Sequence, residues 1–148
     1  MAEQILPPIN IGHPAPQRNR VGLAALLFGI AAAPAAWNAQ LLLSVALSGH
    51  ACYPRNRLLS APLWGNLWWT LLGISIIGIV FAIAGGAVAW RSWRRTYNES
   101  LGTAHHLLDR GEGRTRFMAM CGILTSAVFL LALIFGTAAF FLVPLCGN

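Results

Sequence analysis

Residues 67–90 read LWWTLLGISIIGIVFAIAGGAVAW, an unbroken apolar stretch without one charged side chain. A helix rises about 1.5 Å per residue, so roughly 20 apolar residues cross the roughly 30 Å hydrocarbon layer of a bilayer. The stretch therefore reads as a transmembrane helix. Two more runs of the same kind flank it, residues 21–48 and 117–143, both uncharged. The fold class that follows is an all-α membrane protein of three transmembrane helices with short loops, a single membrane domain over residues 1–148. Around the helices lie an extended proline-rich tail (1–20), a loop (49–66), an arginine-rich loop (91–116) and a short tail (144–148). No segment outside the runs is long enough to build a soluble domain with its own active site.

Of the 148 residues 57% are hydrophobic and 9% charged, and the four acidic residues, Glu3, Glu99, Asp109 and Glu112, all lie outside the runs. Ten arginines and no lysine give a formal charge of +6. Nucleic-acid binding would want basic groups on a folded surface with stacking aromatics. Here the arginines gather at the ends of apolar runs, where they report topology. Arg18 and Arg20 precede the first helix, Arg55 and Arg57 follow it, and Arg91, Arg94, Arg95, Arg110, Arg114 and Arg116 lie between the second and third. Positive loops stay in the cytoplasm, which predicts an N-in/C-out orientation in a bacterial inner membrane. The small residues around Ala31–Ala36 resemble a signal-peptidase site, but the run is too long for a signal h-region and a proline-rich tail precedes it, so the helix is expected to be retained. The tail around Ile5–Pro16 is expected to be extended and held by neighbouring subunits.

Within the first helix, Ala25, Gly29, Ala33 and Ala36 form a small-residue strip that permits close helix approach. Trp37, Gln40, Ser44 and Ser48 recur at helical spacing as a polar stripe, with Asn38 adding a second amide. Gln40 lies well inside the hydrocarbon, where its amide needs a partner. That partner is expected on another helix, with a polar lining for a quinone, lipid or proton route as the alternative. Pro34 is expected to be able to bend the helix. On the second helix Gly78, Ala82 and Gly86, with Gly85 and Ala89 beside them, make a second strip and an expected assembly face. Trp64, Trp68 and Trp69 at one end and Trp90 and Trp93 at the other read as interfacial anchors. The third helix is bulkier, and its Thr125 and Ser126 are expected to bond to carbonyls of their own preceding turn.

Under the predicted topology Cys52 and Cys146 share the outer, oxidising side and Cys121 does not. A Cys52–Cys146 disulfide is expected, with Cys121 a thiol. The competing reading takes His50 and Cys52 as copper ligands, although the outer segments supply no other histidine and no carboxylate side chain. His13, His105 and His106 fall in predicted inner segments, so no facing pair holds a haem within the membrane. His105 and His106 beside Asp109 read as ordinary loop residues. No nucleophilic triad, phosphate-binding glycine loop or paired carboxylate appears. Catalytic, cofactor-binding and metal residues are accordingly expected to be none, with lipid or quinone contact open.

Pro34, Trp37, Gln40 and Leu41, followed by Cys52-Tyr53-Pro54 and the late Cys146, resemble the pattern of small three-helix proteins associated with bacterial haem-copper respiratory oxidases. The resemblance implies an accessory or assembly subunit beside an electron-transfer core, with haem and copper in partner subunits and no redox centre of its own. The residues themselves imply a helical subunit packed among other integral membrane subunits and lipids, with no nucleic-acid partner. Two rivals from other classes are a small oligomeric transporter or channel subunit lined by the Trp37–Ser48 stripe, and a copper-delivery or assembly factor using His50 and Cys52.

Overall fold

The structure, a computed structural model, describes residues 21–57, 59–96, 113–144 and 146. The regular elements of the described residues are all helical: α1 (Leu23–Cys52), a 3₁₀ turn (Pro54–Asn56), α2 (Leu67–Arg95) and α3 (Gly113–Leu142). All three long helices are long and apolar enough to span a bilayer, and the chain is a multi-pass membrane protein. The proline-rich tail and most of the arginine-rich loop, with His13, His105, His106 and Asp109, lie outside the described residues.

The helices outrun the apolar stretches that announce them. α2 continues beyond Trp90 through Arg91, Arg94 and Arg95, and α3 begins four residues before Phe117. A backbone leaving hydrocarbon keeps its polar groups satisfied by staying helical, while arginine stems reach from the helix into the headgroups. α2 closes at Thr96, whose Oγ1 donates to the carbonyls of Ser92 (3.1 Å) and Trp93 (3.0 Å). Along α2, Trp69 and Trp90 are both exposed and 21 residues apart, about 32 Å at helical rise, close to the hydrocarbon thickness. Trp68 meets Trp69 and Phe141 of α3 edge-on at 4.8 and 5.3 Å. At the other end Trp93 stacks on Trp90 at 5.3 Å and carries the Arg116 guanidinium 5.7 Å from its ring centre.

Where two helices must touch without water to drive them together, small residues let dispersion act between backbones. At the level of Gly29, Ala89 and Gly122 all three helices meet: a Cβ built on Gly29 would stand 3.1 Å from the Ala89 Cβ, and one on Gly122 3.0 Å from the same atom. One turn on, Gly85 faces Ala32 and Gly86 faces Ser126. The middle is filled by Ala33, Ala82 and Leu133, with Trp37 and Phe129 against them. Toward the Cys52 end the contact becomes bulkier, through Ala51, Leu67 and Leu71 with Leu47 and Phe140. There a disulfide joins Cys52 to Cys146, with Cα atoms 5.4 Å apart. Cys121 is half-buried in α3 and outside any disulfide.

Candidate functional site

Gln40 stands 12 residues from the Cys52 end of α1, about 18 Å at helical rise, and is 5% exposed. Its Nε2 donates to the Ser75 Oγ on α2 at 2.7 Å, and that hydroxyl donates in turn to the Leu71 carbonyl at 2.9 Å. The single Ser75 proton is thereby committed to Leu71, so its oxygen can only accept, which fixes which end of the Gln40 amide faces it. On the third side lies Gly136 of α3, whose missing side chain leaves room for the amide: a Cβ there would sit 3.8 Å from Nε2 and 3.9 Å from Oε1. A second polar link ties α3 to α1, where the Ser126 Oγ donates to the Gly29 carbonyl at 3.3 Å.

The rest of the expected polar stripe does not converge on this point. Trp37 lays its ring against Phe129 of α3, with centroids 5.4 Å apart. Asn38 is exposed and turns its Nδ2 back onto the Pro34 carbonyl of its own helix at 2.9 Å, and α1 continues through Pro34. The Ser44 Oγ is buried with no hydrogen-bond partner among the described residues. The expectation for the hydroxyls of α3 holds for Thr125, which bonds the Cys121 and Gly122 carbonyls of its own helix. It does not hold for Ser126, because Gly29 lacks a side chain and so leaves its carbonyl within reach.

The small-residue strips meet the chain's own helices. Gly29 touches Ala89, Gly78 faces Leu133, Ala33 and Ala82 share one core cluster, and Gly86 abuts Ser126. Ala25 and Ala36 are half-buried on the same face of α1. Three residues that sequence reading missed complete the arrangement: Ser75, Gly122 and Gly136. Ser75 was hidden in an apolar run, and the two glycines in a helix that reads as bulky.

A further strip, also missed, faces the bilayer. Ala31, Ala35 and Ala39 recur every four residues on the exposed face of α1. With Ile74, Ile77 and Phe81 of α2 they line an open, almost wholly apolar groove of about 560 Å³. From Phe28 to Leu43 the groove follows α1 for about 22 Å. No charged side chain lines it.

For the copper alternative the required thiolate is the Cys52 sulfur, which is bonded here to Cys146. The His50 ring lies 6.3 Å from that of Trp64. Among the described residues no cluster of three His, Cys, Asp or Glu side chains could hold a metal ion. Compared with family models, curated proteins and solved structures, the chain matches none.

The Gln40–Ser75 bond carries a measurable consequence. Ser75→Ala leaves a buried amide donor without a partner, and interhelical bonds of this kind average about 0.6 kcal/mol with a maximum of about 1.7. In a double-mutant cycle of Gln40→Leu and Ser75→Ala, unfolding in mixed micelles is expected to give a coupling within that range. Additive effects would show that the two side chains do not support each other.

Proposed function

We propose that this protein is a non-catalytic accessory subunit of a larger membrane complex, held by a transmembrane helix of a neighbouring subunit seated in the α1–α2 groove. The observation that carries this reading is the alanine floor at four-residue spacing on the lipid face. The other small-residue strips are occupied within the chain, whereas this one offers a backbone that a neighbouring helix can approach. Interior polar groups support packing over transport, since the Gln40 amide and the Ser75 and Ser126 hydroxyls bond between the chain's own helices. Following the sequence resemblance, the parent complex is proposed to be a respiratory electron-transfer assembly, a haem-copper terminal oxidase, with haem and copper in the partner subunits. The arginine distribution supports an N-in/C-out orientation in a bacterial inner membrane, with the joined Cys52 and Cys146 on the outer face.

Ala35→Leu tests the docking reading. Ala35 is exposed on the groove floor, so the change is expected to leave the chain's own unfolding within about 0.5 kcal/mol of the parent. Recovery of partner subunits on mild-detergent purification is expected to fall at least about tenfold, the cost of an obstructed contact of about 1.4 kcal/mol or more. Undiminished recovery would remove the groove from the interface. A homo-oligomer without other subunits would favour the transporter class, stoichiometric copper the delivery class, and a co-purified quinone or acyl chain in the groove a lipid site.

A further inference from the structure

The turn beyond α1 is built with unusual firmness for a loop. Cys52 is tied to Cys146, and its carbonyl receives the Leu59 N–H at 3.0 Å. The Ala51 carbonyl receives the Leu63 N–H at 3.1 Å, and the Arg57 N–H returns to Pro54 at 3.3 Å. Two of the carbonyls left over at the end of α1 are thus satisfied by the returning chain. Inside this clamp Arg55 adopts φ 53° and ψ 39°, the only left-handed non-glycine residue among those described. Such a conformation persists in an arginine only where the surroundings impose it. The reversal brings Arg55 and Arg57, both exposed, to one hollow walled by Pro54 and Leu59.

The described residues include no Asp or Glu beside these two guanidinium groups. In the sequence Glu3 precedes α1, and Glu99, Asp109 and Glu112 fall between α2 and α3. Trp64 and Trp69, both exposed, mark the membrane interface at the level of the hollow. The anion that is abundant just beyond such a tryptophan belt is phosphate, and a planar guanidinium matches two phosphate oxygens at once.

We propose that Arg55 and Arg57 form a phosphate site at the disulfide end of the bundle, with Pro54 and Leu59 as its apolar walls. The ligand chemistry is a phosphate group, supplied by an anionic phospholipid headgroup or by free phosphate. The site stands independently of the groove and of the identity of the parent complex.

The test uses the full chain in nanodiscs of phosphatidylcholine with a minor share of phosphatidylglycerol, with lipid retained on release counted by native mass spectrometry. The parent chain is expected to retain phosphatidylglycerol, and the R55Q/R57Q double variant to retain at least about tenfold less, the loss expected from one charge-assisted contact. An intact Cys52–Cys146 bridge and unchanged helicity in the variant keep the comparison within folded protein. In discs of phosphatidylcholine alone, a saturable phosphorus resonance shift of inorganic phosphate that disappears in R55Q/R57Q would assign the site to free phosphate. Equal retention by parent and double variant, together with no phosphate shift, would overturn the proposal. So would an equal loss in R91Q/R94Q, which alters exposed arginines at the far end.

Discussion

Gly122→Leu is expected to unpack the three-helix bundle. A Cβ on Gly122 alone would stand 3.0 Å from the Ala89 Cβ and 3.2 Å from both the carbonyl carbon and the oxygen of Gly29. Two of those three neighbours are backbone, which cannot rotate out of the way as a flexible side chain can. Overpacking of this kind costs about 1–3 kcal/mol for small additions, so Gly122→Ala is expected within that range and Gly122→Leu above about 3 kcal/mol. Gly73→Ala is the matched control, since nothing lies within 4 Å of its Cβ position. Alanine is the better helix former by about 0.5–1 kcal/mol, so the control is expected to be neutral or slightly stabilising. Denaturant titration in mixed micelles, followed by the fluorescence of the Trp37–Phe129 contact between α1 and α3, reads both. A Gly122→Leu protein that unfolds with the parent would mean that the three helices do not meet at this level.

The second large effect is expected from the disulfide. Cys52 and Cys146 are 94 residues apart in sequence and close the free end of α3 onto the end of α1. A chain-entropy treatment gives a crosslink of this span about 4–5 kcal/mol. The bilayer already confines the inserted helices, so Cys146→Ser is expected to cost less than that figure and to act mainly on the position of the chain after α3. Recovery of the proposed partner subunits should fall while insertion continues. Peptide mapping without reductant is expected to return the two residues as one crosslinked pair, and free thiols at both positions would remove the bridge. After reduction, an impermeant thiol reagent applied to spheroplasts is expected to label Cys52 and Cys146 but not a cysteine placed by Ser100→Cys. Labelling of the latter from outside would invert the proposed orientation.

The three spans were legible because length and apolarity are one-dimensional properties, and hydrocarbon thickness converts them directly into helices. Their ends were not, because a helix carrying Arg94 or Arg116 continues through a region that hydropathy scores as polar. Helix facing was harder to read. From Ala31 to Ala36 every residue but Pro34 is alanine, so the run holds no periodicity from which an inward and an outward face could be told apart. The inward strip through Gly29 and Ala33 was identified, whereas the outward one through Ala31, Ala35 and Ala39 needed the position of α2. Gln40 announced itself as an amide wanting a partner, but Ser75 did not, since a lone serine in a transmembrane helix ordinarily bonds its own preceding turn. Ser75 does that as a donor, and accepts from Gln40 with the same oxygen. The Cys52–Cys146 pair was legible from shared sidedness alone.

Helices whose facing surfaces are made of glycine and alanine present few knobs, and two such surfaces can slide lengthwise past each other with little steric resistance. The Gln40–Ser75 bond supplies the missing detent. A one-turn slip of α1 along α2, about 5.4 Å, would carry the amide away from its only hydroxyl and strand it in a medium without water. The Gln40–Ser75 bond thus adds a register-specific contact near mid-membrane, where the small-residue surfaces of the first two helices offer the least resistance to sliding.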